Sequence, residues 1–211
     1  MRIEIKRLAK SYQRKNVFRD LSWELEKGKS YVVTGPNGSG KSTLLRLLCG
    51  LEKPTAGTIT CYIGKKVVDP SSTRSSMGLV SPDLQFYGQL SPLENLVFFS
   101  ALRGLDNGSD ILQRLLVKVQ LGKEMSRPVA TFSSGMKQRL RLAFALLHEP
   151  VFLFLDEPFT NLDRAGKDLV IRIIADQVSK GIVLMATNEP WEVECFGQDI
   201  LHLAPGSMGP G

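Results

Sequence analysis

Gly35-Pro36-Asn37-Gly38-Ser39-Gly40-Lys41-Ser42 follows the spacing G-x-x-x-x-G-K-[ST], and each residue type in that run has a use against phosphate. Glycine lets the backbone turn its N–H groups inward and approach an anion with no Cβ in the way. Lys41 can bring a compact positive charge to β- and γ-phosphate oxygens, and the Ser42 hydroxyl is a ligand suited to Mg²⁺. Thr43 adds a donor. The helix expected to open near Lys41 supplies the positive end of its dipole. The chemistry implied is nucleotide binding by residues 35–43.

Asp156 and Glu157 directly follow the apolar run Val151–Leu155. Two carboxylates at such a place can divide the work. Asp156 would hold Mg²⁺ through its water shell. Glu157, on the opposite side of the strand, would orient or deprotonate an attacking water. Taken alone an Asp-Glu pair can simply end a strand; the phosphate loop upstream gives it a function.

These groups need a scaffold. Val151–Leu155 is apolar throughout, as expected of a strand buried on both faces. A parallel-sheet strand is expected at Lys29–Thr34, just before the loop, and a helix just after it that ends near Gly50. Helix Lys167–Lys180 and strand Ile182–Ala186 would complete a βαβ unit. The segment before Gly28 alternates and reads as strands of an antiparallel sheet; Gly57–Val68 reads as a hairpin turning at Gly64. Residues 91–148 have helical periodicity. One face is expected to carry Leu93, Leu96, Val97, Ser100 and Ala101, a second Ile111, Leu112, Leu115, Leu116 and Val119, and a third helix should run from Ser134 toward His148. Phe98, Phe99, Phe132, Phe152 and Phe154 are core candidates. The fold class is therefore α/β: a mostly parallel sheet, an N-terminal antiparallel β subdomain and an inserted helical subdomain. The Ser-rich stretch 70–76 reads as a loop, and the Gly/Pro-rich tail 205–211 as disordered.

Composition narrows the function classes. The chain has 211 residues, 43% hydrophobic and 23% charged, ordinary for one globular domain. Its net charge is 27 − 21 = +6, with no run of like charge that would mark a nucleic-acid tail. Cys49, Cys61 and Cys195 form no CxxC pair, and His148 and His202 are the only histidines, so a zinc site of common spacing is excluded. No apolar run is long enough to span a bilayer. The opening residues alternate like a strand and not like a signal peptide.

Between the two motifs lies Phe132-Ser133-Ser134-Gly135-Met136-Lys137-Gln138-Arg139, opening a helix and followed downstream by Asn161-Leu162-Asp163. Taken with the phosphate loop and the Asp-Glu pair, this order resembles the ABC ATPases. FSSGM stands where that family has its signature loop, and its serines and N–H groups would sit at a helix N-terminus suited to an anion. The resemblance covers nearly the whole chain, 1–204, whose length is similar to small stand-alone subunits such as those of haem-exporter type. It implies that Tyr12 stacks on adenine and that Asp163 belongs to the D-loop. It implies that Ser133, Ser134 and Gly135 act on ATP held by a second subunit, in a homodimer. It also implies a transmembrane permease partner and a place at the cytoplasmic face of the membrane, with no nucleic acid. Phe86-Tyr87 falls in a loop that borders the permease docking site in such transporters.

Two positions depart from the family. Pro82 stands where a Gln is usual, with Gln85 close by, and Asn188 stands where a His is usual. The Asn188 amide can donate to a phosphate oxygen but brings no charge. With Lys41 and Glu157 as the other catalytic groups, slow hydrolysis is expected. Two alternatives remain open: a regulatory module in which ATP binding matters and hydrolysis does not, and a soluble ABC ATPase outside transport.

Overall fold

The computed structural model describes residues 1–13, 15–68 and 74–204. The tail 205–211 and most of the 70–76 loop lie outside the described residues. Strands β1 (Arg2–Tyr12) and β2 (Lys15–Glu26) form an antiparallel hairpin. After β3 (Ser30–Thr34) and helix α1 (Lys41–Leu48), strands β4 (Ala56–Ile63) and β5 (Lys66–Val68) extend that sheet in the order β2-β1-β4-β5. The hairpin turns at Gly64, whose φ is +63°.

Strand β6 (Met77–Val80) begins the other sheet. Helices α2 (Pro92–Leu102), α3 (Ser109–Lys118) and α4 (Ser134–Leu146) follow, then β7 (Phe152–Asp156), α5 (Arg164–Lys180), β8 (Ile182–Ala186), α6 (Pro190–Phe196) and β9 (Asp199–His202). The second sheet runs β6-β7-β8-β3-β9, with parallel pairing throughout.

That sheet divides the core. Leu153 and Leu155 of β7 with Val183 and Met185 of β8 pack toward α4 and α5. Phe152, Phe154, Ile182 and Leu184 point the other way, toward α1 and the antiparallel sheet. Alternation along each strand thus feeds two hydrophobic layers, which is why β7 is apolar from Phe152 to Leu155 and β8 throughout. Each such buried side chain contributes about 1.5–3 kcal/mol.

Helix α2 departs from the sequence reading. Ser91 accepts from the Glu94 N–H while Glu94 accepts from the Ser91 N–H, a reciprocal cap. The buried face is Pro92, Asn95, Leu96 and Ser100; Val97, Phe98 and Ala101 face solvent. Asn95 explains the rotation. Its Oδ1 accepts from the Tyr87 N–H at 2.9 Å, and its Nδ2 donates to the Tyr87 and Ser91 carbonyls at 3.0 Å each. A side chain that satisfies the preceding loop's backbone takes the inward position over an apolar neighbour. Ile111 on α3 is likewise exposed, while Leu112, Leu116 and Val119 are buried. Helix α5 starts at Arg164, ahead of the expected Lys167, because the Asp163 carboxylate accepts from the Gly166 N–H at 2.8 Å and caps it there.

Candidate nucleotide site

The phosphate loop joins β3 to α1. Its two end glycines are fixed by what surrounds them. Gly35 has φ +144°, and a Cβ there would lie 2.0 Å from the Leu203 carbonyl oxygen on the neighbouring chain segment. Gly40, the N-cap of α1, has φ +103°, and its Cβ would lie 2.3 Å from a Val17 methyl. The loop is therefore clamped between the C-terminal edge of the parallel sheet and the antiparallel hairpin, and only glycine fits at either end.

Lys41 is buried, and its Nζ donates to the Gly35 and Pro36 carbonyls at 2.7 and 3.2 Å. Burial pushes its ammonium below the usual lysine value, and Glu157 and Asp156 pull it back up. A desolvated cation resting on loop carbonyls suits an incoming triphosphate. The Ser39 hydroxyl is wholly buried with no partner. A loop with an orphan donor and a cation lacking an anionic contact fits a phosphate chain.

Asp156 lies on the same side of β7 as Phe152 and Phe154, the side facing α1, which brings it to Ser42. Burial raises its carboxyl, the Ser42 hydroxyl lowers it by hydrogen bonding, and nearby Glu157 raises it again. Ser42 and Asp156 are the residues able to hold Mg²⁺. Among the described residues no cluster of three His, Cys, Asp or Glu could hold a metal, so the remaining positions would fall to water and phosphate oxygen.

Glu157 steps out of the strand with φ +47°, and its N–H bonds the Ala186 carbonyl at 2.9 Å. Its side chain is exposed. Asn188 follows β8; the preceding Thr187 N–H bonds the Val33 carbonyl at 3.0 Å, and Asn188 Nδ2 donates to Asn37 Oδ1 at 2.7 Å. Lys41, Asp156, Glu157 and Asn188, distant in sequence, thus gather at one end of the parallel sheet, where α/β folds bind ligands.

The other expected residues sit as follows. Tyr12 is half exposed; its hydroxyl donates to Glu52, and the Lys10 ammonium stands 4.6 Å from its ring centre. Ser133 caps α4 by accepting from the Met136 N–H at 3.2 Å, with Ser134 the first helical residue. A Cβ on Gly135 would lie 2.7 Å from the Asn161 carbonyl oxygen, and Arg139 pairs with Asp163 at 2.8 Å. The signature turn and the Asn161–Asp163 segment are one packed unit. Pro82 is exposed, its carbonyl accepting from Arg141 at 3.0 Å, and Gln85 is exposed beside it.

Residues that sequence reasoning did not single out also shape the site. Buried Gln138 donates to the Pro158 carbonyl at 3.1 Å and so ties α4 to the turn carrying Glu157. Arg46 on α1 ion-pairs with Asp83, linking the phosphate-loop helix to the loop after β6. An amide inside an otherwise apolar helix face was the available signal for Gln138.

A model of the ABC transporter family matches residues 18–160. The chain belongs to the ABC transporter ATP-binding family. The lantibiotic transport ATP-binding protein SrtF of Streptococcus pyogenes is 36% identical over 88% of this chain and 79% of its own length. An uncharacterised ABC transporter ATP-binding protein of Bacillus subtilis, YybJ, is also 36% identical, over 88% of this chain and 84% of its own. The solved ATP-binding subunit of an ABC transporter superposes with TM-score 0.85 at 28% identity, covering 98% of this chain and 88% of that one. This ABC protein is accordingly the ATP-binding, ATP-hydrolysing subunit of a transporter. No helix among its described residues is long and apolar enough to cross a membrane.

Proposed function

We propose that two copies of the chain hydrolyse ATP head to tail, at the cytoplasmic face of a membrane, and drive a separate transmembrane permease. Residues 1–204 act as one ATP-binding domain with 91–148 as its helical subdomain. Tyr12 stacks on the base. The N–H groups of residues 35–43 and the Lys41 ammonium hold the phosphates, with Ser42 and Asp156 on Mg²⁺, which supplies charge neutralisation when bound. Glu157 orients and deprotonates the attacking water, and Asn188 donates to the γ-phosphate. Ser133, Ser134 and Gly135 of the partner copy cover that phosphate, with Asp163 at the seam. The observation that supports this reading is the convergence of Asp156, Glu157 and Asn188 on the loop held by Lys41.

Glu157→Gln tests it. The variant should bind ATP normally, lose about 10²–10⁴ of the turnover and accumulate as a dimer. Normal phosphate release would show that another group positions the water.

A further inference from the structure

Near the turn of the antiparallel hairpin, three side chains meet the phenol of Tyr12. Its hydroxyl donates to the Glu52 carboxylate. The Lys10 ammonium, 4.6 Å from the ring centre, pairs with that same carboxylate at 3.0 Å. The Thr43 hydroxyl, at the end of the phosphate loop, hydrogen-bonds the phenol as well. This last contact sets the ring beside the loop that Lys41 holds.

Glu52 belongs to no helix or strand. It lies in the connection between α1 and β4, and that connection is stitched to β1. The Thr55 N–H bonds the Ala9 carbonyl at 2.8 Å, Lys10 Nζ donates to the Lys53 carbonyl at 2.9 Å, and the Thr55 hydroxyl accepts from the Ser11 N–H at 3.0 Å. The stitching carries the carboxylate to a ring 40 residues away in sequence. Glu52 and Lys10 are both largely buried there. Arg46 is a third and weaker partner of Glu52 at 3.9 Å, its other arm being paired with Asp83. Burial raises the Glu52 carboxyl, but Tyr12, Lys10 and Arg46 together bring it below its usual value, so it remains an acceptor. Burial and then Glu52 push the phenol up, so it remains a donor.

Tyr12 itself keeps 44% of its surface open. An exposed ring ordinarily loses rotamer freedom when a ligand stacks on it, which weakens binding. Here the hydroxyl is tethered at one end and a cation rests on one face. The ring is ordered in advance, and the face away from Lys10 is left for a ligand.

We propose that Glu52 is a positioning residue for the nucleotide base, acting through Tyr12. With Lys10 it fixes the ring so that the free face receives the base of the ATP whose phosphates bind residues 35–43. This rests on the reading of Tyr12 as the residue that stacks on the base.

Calorimetry on the full chain with two probes, Mg-ATP and Mg-tripolyphosphate, tests the proposal. Tripolyphosphate has the phosphate chain and no base. Glu52→Met keeps the length of the side chain and removes the acceptor. It should weaken ATP binding about three- to tenfold and leave tripolyphosphate binding unchanged, a change of ratio that a general loosening of the fold would not give. Tyr12→Phe keeps the ring, drops the hydroxyl and leaves the buried carboxylate in place, so it reads the same tether even where Glu52→Met fails to fold. It should weaken ATP binding comparably, and the two substitutions together no more than Glu52→Met alone, because one tether is removed. Tyr12→Ala should weaken it further. If Tyr12→Ala lowers ATP affinity while Glu52→Met and Tyr12→Phe do not, the positioning role is overturned and Tyr12 remains the base platform. If Glu52→Met weakens both probes equally, or if the effects of the two substitutions multiply, Glu52 does not act through the ring and the proposal falls. If even Tyr12→Ala binds ATP as the wild type does, the base reading falls and the proposal with it.

Discussion

The phosphate loop and the signature turn are both Gly- and Ser-rich, and both open a helix, yet their surroundings differ. The loop is completed from within its own chain: Lys41 caps its carbonyls, Asp156 reaches Ser42, and Asn188 touches Asn37. The signature turn is held by structural neighbours: Gly135 packs on the Asn161 carbonyl, and Arg139 of the helix it opens pairs with Asp163. One chain therefore carries a nearly finished phosphate site and, separate from it, an exposed helix-opening turn. On the proposed reading, binding belongs to the monomer and turnover needs a second copy.

The strongest way to break that comparison is complementation. Lys41→Ala should weaken ATP binding about 10²-fold or more, since charge-assisted bonds to a buried ammonium are lost; calorimetry reads this directly. Gly135→Asp should bind ATP normally and hydrolyse none. Mixing the two inactive proteins should restore phosphate release, because one composite site in the mixed dimer is intact. A mixture as inactive as its parts would mean the turn does not act across a dimer.

Gly40→Ala sharpens the intrachain side. Its Cβ would collide with Val17 at a positive φ, so chemical denaturation should show a loss of about 2–3 kcal/mol, with weaker ATP binding. Wild-type stability in this variant would mean that the hairpin does not clamp the loop. Asn188→His changes only the polar finger over the loop. Phosphate release should rise about tenfold, less than the 10²–10³ assigned to a full transition-state donor because Asn already keeps part of that bond. An unchanged or lower rate would remove Asn188 from the catalytic set.

The smallest effect lies outside both regions. His148 is neutral when folded and titrates near 4, below its unfolded value of 6.5. Its contribution to stability is complete above pH 6.5 and is lost as pH falls from there toward 4. The loss should be about 1–2 kcal/mol once the ring's part exposure is allowed for. His148→Gln should flatten the denaturation midpoint over that range; an equally steep acid limb would place the titration elsewhere.

Much of the fold was legible because its signals are local. The apolar run at Val151–Leu155 signalled a doubly buried strand, which forms from Phe152, and the G-x-x-x-x-G-K-S spacing located the turn between β3 and α1. The rotation of α2 was not legible, since hydrophobic periodicity cannot show that Asn95 would be drawn inward by the backbone of Tyr87 and Ser91. Strand β9 was missed because Asp199–His202 is short and mostly exposed, its place fixed by pairing with β3. In the site, residue types identified the phosphate loop and the carboxylates. The contacts of Gln138 and the Arg46–Asp83 pair join segments remote in sequence, which no spacing rule encodes.

Glu157 leaves its strand in a left-handed backbone conformation that costs a non-glycine residue about 1 kcal/mol or more. The residue proposed to activate water is thus one the folded chain would hold more comfortably as Gly or Asn. Selection for heat resistance alone should drift toward those residues at this position, and the hardier proteins it yields would hold their nucleotide without spending it.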